Sequence, residues 1–172
     1  AYLNTFSDIL AQRIQGAFVP RFTPGQDAYS KVLDDLADYA EYHGHLKLYD
    51  AQKSVIQATS NALDHKKAAF IIGECGSGKT AMGIGTVMTN MNDRFGKNVI
   101  IMCPAHLVRK WKAEIERLAP RSEAVIVDDF SSLLKLEPKI KDKKRKKNLW
   151  LIFSKETAKF GYEERPAAVL ST

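Results

Sequence analysis

Apolar residues recur every three or four positions from Asn4 to Phe18 and again from Gln26 to Tyr42, with Pro20 and Pro24 between the two stretches. That period puts an apolar stripe along one face of each of two helices, and the prolines mark the break. From Leu48 the rhythm becomes an alternation. Asp50 to Leu63 keeps a helical spacing, with Asp50 placed to act as N-cap. Ala68 to Ile72 is a short apolar run ending at Gly73, the pattern of a parallel strand buried on both faces. Lys79 to about Phe95 returns to helix and closes near Gly96. Asn98 to Cys103 predicts the next strand, stopped by Pro104, and Ala105 to Leu118 a helix ended by Pro120. A third strand is expected at Ala124 to Val127 and a short helix at Phe130 to Leu136. A fourth strand follows at Leu149 to Phe153, then a brief helix and an irregular tail. Strands alternating with helices predict right-handed crossovers and a parallel sheet between two helical layers. The expected fold is therefore α/β and three-layered, with residues 1–45 as a helical extension and 46–172 as the main domain.

The junction between the first predicted strand and the next helix reads Gly73-Glu74-Cys75-Gly76-Ser77-Gly78-Lys79-Thr80. This is the spacing of a phosphate-binding loop, and each fixed position has a mechanical reason. Gly73, Gly76 and Gly78 allow backbone shapes closed to other residues and a close approach to phosphate. Successive N–H groups, Ser77 among them, then turn inward at the positive end of the helix that starts near Lys79. Lys79 supplies a point charge to the β and γ phosphates, and the Thr80 hydroxyl is the expected Mg²⁺ ligand. ATP with Mg²⁺, or a related nucleotide, is the implied ligand. Cys75 occupies a freely variable position of the pattern.

Charge changes the picture less than its total suggests. The chain carries +6 at neutral pH, and Lys139 to Lys147 holds seven basic residues and one acid, which is the whole excess. The basic bias is thus local, and two readings stand side by side: a solvated loop of like charges, or a contact to a phosphate backbone. No run of about 18 apolar residues exists, so no membrane partner is expected. Two cysteines, Cys75 and Cys103, make no disulfide framework, which suits an intracellular compartment: the cytoplasm, or nucleoid or nucleus for a protein acting on DNA. His43-Gly44-His45 has no third ligand near it in sequence and reads as a polar turn.

Three further blocks carry a family resemblance. Leu48-Tyr49-Asp50-Ala51-Gln52 places a glutamine after an aromatic, upstream of the phosphate loop. Ile100-Ile101-Met102-Cys103-Pro104-Ala105-His106-Leu107-Val108-Arg109-Lys110-Trp111-Lys112-Ala113-Glu114-Ile115 runs from an apolar strand through Pro into a helix bearing Trp and Glu. Leu149-Trp150-Leu151-Ile152-Phe153-Ser154-Lys155-Glu156-Thr157 is a strand ending in Ser before a short helix. In this order they resemble the N-terminal RecA-like domain of superfamily two helicases and Swi/Snf-type translocases, over roughly residues 48–160. The resemblance implies that Gln52 reads the adenine edge, a role an amide suits because it both donates and accepts. It implies nucleic-acid backbone contacts at Pro104, Ala105, His106 and Arg109, and at Ser154 and Lys155, with DNA favoured over RNA. Ser154 and Lys155 also fit a plain strand-to-helix junction, and Trp111 falls on the apolar stripe of its helix.

The family also uses an Asp-Glu pair on a later strand and a second RecA-like domain. Glu163 and Glu164 lie in a polar stretch before Pro166 and do not fit that pair. The expectation is a first motor domain, cut from a longer ATP-dependent enzyme, that hydrolyses ATP poorly alone. The alternative is a compact P-loop ATPase or kinase in which Ala124-Val125-Ile126-Val127-Asp128-Asp129 is the metal-holding strand. Asp129 equally suits the N-cap of the helix from Phe130.

Overall fold

The computed structural model describes residues 20–42, 47–91 and 96–160, together with 12, 13 and 16. Most of the predicted Asn4–Phe18 helix, the His43–His45 turn and residues 161–172 lie outside the described residues. The described elements run in the order α1 (Lys31–Tyr42), α2 (Asp50–Leu63), α3 (Lys79–Met91), β1 (Asn98–Cys103), a 3₁₀ turn (Ala105–Leu107) and α4 (Val108–Leu118). Then come β2 (Ser122–Val127), α5 (Phe130–Lys141), β3 (Asn148–Ser154) and α6 (Lys155–Phe160). The sheet is parallel with strand order β1-β3-β2, so the last strand in sequence is the middle one in space. The fold is α/β, as expected from the alternation, and RecA-like, as the resemblance implies.

A strand paired on both edges and covered on both faces must be apolar nearly throughout. In β3, Asn148, Leu149, Trp150, Leu151 and Ile152 are all buried. One face, with Trp150, Ile152, Ala124 and Cys103, joins Met82 and Ile84 of α3 and Ile115 and Leu118 of α4 in one core. The other face, with Leu149, Leu151 and Val127, is covered by Leu133, Leu136 and Ile140 of α5. Two polar side chains carried into this strand make hydrogen bonds across it. Trp150 Nε1 donates to Ser122 Oγ at 3.0 Å, and Asn148 Oδ1 accepts the Lys97 N–H at 3.1 Å. Asn148 N–H also donates to the Arg121 carbonyl at 2.9 Å, so one buried residue ties together the starts of all three strands.

The N-terminal elements share this core rather than standing off from it. Leu33 and Ala40 of α1 and Ile56 of α2 belong to the same buried cluster. Gly85 of α3 lies so close to Ile56 that an added Cβ would stand 2.6 Å from its Cδ1, which lets the two helices press together. A polar ladder supports the contact: Ser30 N–H donates to Gln57 Oε1, Gln57 Nε2 to Asn61 Oδ1, and Asn61 Nδ2 to the Arg21 carbonyl.

Several expectations need correction. The helix expected from Gln26 begins at Lys31, because Ser30 takes the cap position: its carbonyl accepts the Leu33 and Asp34 N–H groups and its hydroxyl also faces Leu33 N. Asp50 is the first helical residue and not the N-cap. Tyr49 precedes it, and the Tyr49 N–H is satisfied by Gln52 Oε1 at 3.0 Å. Ala68–Ile72 is not a buried strand. It is extended chain without a ladder, with Phe70 91% and Ile72 94% exposed, because β1 bonds only to β3 and its other edge does not pair with this segment. The sheet therefore has three strands among the described residues rather than four. The helix predicted to end at Leu136 continues to Lys141 through Pro138. Pro138 forfeits one helical hydrogen bond, and the partly buried Leu133, Leu136 and Ile140 on either side of it hold the helix against the sheet. Lys139 and Lys141 are consequently helical rather than part of a basic loop.

Trp150 is fully buried in the middle strand and its N–H has one partner. Trp150→Ala is expected to cost about 3–5 kcal/mol of unfolding free energy. Urea denaturation followed by circular dichroism measures this, and a loss below about 1 kcal/mol would mean that the core does not close on this strand.

Candidate functional site

The phosphate loop owes its shape to two glycines. Gly76 and Gly78 have φ of +85° and +82°, a region that side chains avoid. Between them the Ser77 N–H donates to the Glu74 carbonyl at 3.3 Å, closing a tight turn. The Gly78 carbonyl accepts the Met82 N–H at 3.0 Å, so Gly78 is the residue from which α3 starts. The N–H groups of Lys79, Thr80 and Ala81 are then the first-turn donors, at the positive end of the helix dipole. Gly73 serves differently: an added Cβ would stand 2.8 Å from Ser77 Oγ. That hydroxyl is buried without a hydrogen-bond partner among the described residues, an orphan polar atom inside the loop. Lys79 reaches back across the loop and donates to the carbonyls of Gly73 at 2.9 Å and Glu74 at 2.7 Å.

Gln52 joins this loop from α2. Its Nε2 donates to the Ser77 carbonyl at 3.0 Å while its Oε1 holds the Tyr49 N–H. An added Cβ at Gly78 would stand 2.3 Å from Gln52 Nε2, so the absence of a side chain at position 78 is what lets the amide reach the loop. The structure thus brings Gln52, Gly73, Gly76, Ser77, Gly78, Lys79 and Thr80 into one constellation, although the segment leading into it is not a strand. Cys75 is exposed on the loop.

A second feature lies at the C-terminal ends of the strands. Ala105, Arg109, Asp128, Ser154 and Thr157 line a cleft of about 340 Å³, floored by Val108, Ile126 and Val127. Of the predicted backbone-contact residues, Ala105, Arg109 and Ser154 share this cleft. Pro104, His106 and Lys155 are not among its lining residues. Pro104 precedes the 3₁₀ turn, and His106 and Lys155 are exposed nearby in sequence. Ser154 has a structural duty as well, since its Oγ accepts the Thr157 N–H at 2.8 Å and shares a hydrogen bond with the Thr157 hydroxyl at 2.9 Å. Thr157 and Asp128 are cleft residues that the sequence reading missed as such. The Ser-x-x-Thr spacing was a signal for the first, since it makes Ser154 a cap that draws Thr157 inward. Burial pushes the Cys103 thiol above its ordinary pKa, with Glu156 adding and Lys155 opposing, so this thiol behaves as a packed core group.

The two acids after β2 have separate positions. Asp129 caps α5 through Oδ1, which accepts the Ser132 N–H at 2.6 Å, and that hydrogen bond holds its carboxyl below the usual value. Asp128 faces the cleft with Arg109. β2 itself is an edge strand, with β3 between it and β1. No group of three or more metal-ligating side chains is found among the described residues. No described helix is long and apolar enough to cross a membrane.

A phosphate loop opening a helix, a glutamine bound to it from the preceding helix, and a cleft at the strand ends define a helicase-like RecA domain. The chain belongs to the family described as type III restriction enzyme, res subunit, which matches residues 45–163 and is a superfamily two helicase family. Its members carry ATP-binding, helicase-like activity. No curated protein and no solved structure matches the chain.

The loop and the cap can each be probed by substitution. Gly78→Ala places a Cβ in left-handed backbone, worth roughly 1–2 kcal/mol, and against the Gln52 amide as well. Gln52→Ala should then cost less in the Gly78→Ala background than in the wild type, because the displaced amide has already lost Ser77; additive losses in chemical denaturation would contradict the close approach. For Asp129, the folded pKa is lowered, so its stabilisation is present above the unfolded pKa and is lost as pH falls through the folded one. The stability gap between wild type and Asp129→Ala should be full at neutral pH and shrink in that acid window. A gap that does not change with pH would remove the carboxylate from the cap.

Proposed function

We propose that this chain is the ATP-Mg-binding first motor domain of a nucleic-acid translocase that favours DNA and works with a second RecA-like domain inside the cell. In this reading residues 1–45 extend the domain formed by residues 46–172. The observation that carries it is the Gln52 amide seated on the Ser77 carbonyl of a loop whose Gly76 and Gly78 are left-handed. A kinase or transporter loop needs the glycines but has no need of the glutamine.

The residues fit a magnesium nucleotide. The first-turn N–H groups of α3, the buried Ser77 hydroxyl and the Lys79 ammonium all bear on one loop, and no carboxylate is hydrogen-bonded to Lys79 among the described residues. Thr80 is the residue that would hold Mg²⁺, which supplies charge neutralisation between the β and γ phosphates. Lys79 would hold phosphate oxygens in place of its two carbonyl partners, an ion pair in place of an ion–dipole contact. Gln52 keeps one amide group on the loop or turns it to the adenine edge, coupling base recognition to loop position. At the cleft, Arg109 offers a cation and Ala105 leaves room beside it, an arrangement that supports holding phosphates without reading bases. None of residues 73–80 lines the cleft, which supports separate sites for nucleotide and nucleic acid on one domain, as a motor requires.

Lys79→Ala should weaken Mg-ATP binding about 10- to 100-fold by calorimetry, the worth of a charged hydrogen-bonded contact. Arg109→Ala should leave that affinity intact and weaken duplex binding. Asp128→Asn should leave both nucleotide affinity and the low turnover of this chain unchanged. Brisk hydrolysis that Asp128→Asn abolishes would transfer the function to the compact ATPase or kinase built on Asp128 and Asp129.

A further inference from the structure

The chain's excess positive charge sits at the end of the sheet opposite the cleft, and the structure holds it there. Because the strands are parallel, Asn148 opens β3 at the end where Asn98 and Ser122 begin, and residues 142–147 lead directly into it. Strands of six and seven residues separate the two ends by about 20 Å.

This segment is pinned rather than loose. Arg145 Nε donates to the Asp142 carbonyl at 3.0 Å, and its Nη2 donates to the Gly96 carbonyl at 3.2 Å and to Asn98 Oδ1. Asn98 Nδ2 donates to the Ile140 carbonyl at 3.0 Å, and Asp142 Oδ1 accepts the Lys144 N–H at 2.8 Å. The turn lies so close to Gly96 that an added Cβ there would stand 3.0 Å from the Lys143 carbonyl. Arg145 and Asp142 are thus spent on shape. Lys139 and Lys141 are also taken up, in ion pairs with Glu123 and Glu137. Lys143, Lys144, Lys146 and Lys147 remain exposed, and none of their ammonium groups is in an ion pair among the described residues.

Four like charges held together repel one another, and a solvated mobile loop would let them separate. We propose that this lysine arc is a second nucleic-acid contact, distinct from the cleft, that grips the phosphate backbone of a duplex without regard to sequence. Lysine ammonium groups are point charges that tolerate a varied phosphate spacing, whereas bidentate reading of bases calls for arginine. The arc itself, residues 143–147, has no aromatic to stack on a base and no apolar anchor of the kind that dominates protein–protein contacts. Both features favour duplex backbone over single strand or acidic protein. At about 20 Å from the cleft, the arc engages a flanking or bent stretch of duplex, and it does so whether or not the cleft reading holds.

The test is the salt dependence of binding to a labelled DNA duplex, followed by fluorescence anisotropy with the full 172-residue chain. Glutamine at positions 143, 144, 146 and 147 should make the log–log slope shallower by about 2–4, near 0.9 for each phosphate no longer neutralised. A control with Lys31, Lys47, Lys66 and Lys67 changed to glutamine removes the same charge from other exposed positions and should shift the slope by less than about 1. Circular dichroism of both variants verifies the fold. Arg109→Ala in the same assay reports on the cleft separately. An unchanged slope, or an equal change in the control, would overturn the arc as a site. Tighter binding of poly-glutamate than of duplex, abolished in the arc variant, would assign it to an acidic protein instead.

Discussion

A strand enclosed on both edges and both faces leaves no freedom in what it can carry, and β3 meets that demand with five consecutive buried residues. The cleft and the basic segment are both arranged around it. Because β1 and β2 both run parallel to β3, their C-terminal ends gather Ala105, Arg109, Asp128 and Ser154 around one cleft. Their N-terminal ends gather at Asn148, whose buried amide and backbone N–H fasten the starts of the neighbouring strands. The basic segment enters at that second end. The polarity of a parallel sheet therefore sets the cleft and the basic segment at opposite ends, where sequence alone places them on one undifferentiated domain.

The glycine loop of residues 73–80 is held by a different device. Its lead-in segment makes no ladder with β1, so the loop's position depends on helices. Ile56 packed against Gly85 fixes α2 on α3, and Gln52 on α2 then fixes the loop that opens α3. The Ser77 carbonyl is tied to α2 by the Gln52 amide. Loop shape and helix packing are linked through that amide.

The parts of this architecture that were legible in the sequence are those with a local cause. Pro104 and Pro120 stop elements because proline cannot continue them, and both boundaries fall within a residue or two of the expected place. The glycine positions of the loop were legible because positive φ is a property of the residue itself. Gln52 could be singled out only by resemblance, and its contact with Ser77 depends on how two helices pack. The failures share a tertiary cause. Ala68–Ile72 has the composition of a buried strand, but composition cannot supply the neighbouring strand that burial needs. The helix expected to end at Leu136 runs on through Pro138, because the apolar stripe through Ile140 keeps it on the sheet. Cleft membership was the least legible, since Asp128 and Thr157 meet Arg109 only through the β1-β3-β2 order.

If residues 73–80 and Gln52 together form an adenine-selective magnesium nucleotide site, base and metal must both register in the binding free energy. Calorimetric titration with ATP and with GTP, each with and without Mg²⁺, on wild type and Gln52→Ala is the decisive experiment. Binding should depend on the metal and favour ATP in the wild type, and Gln52→Ala should abolish that preference while keeping the phosphate-driven affinity. Equal affinity for both nucleotides in the wild type, independent of metal and untouched by Gln52→Ala, would contradict it.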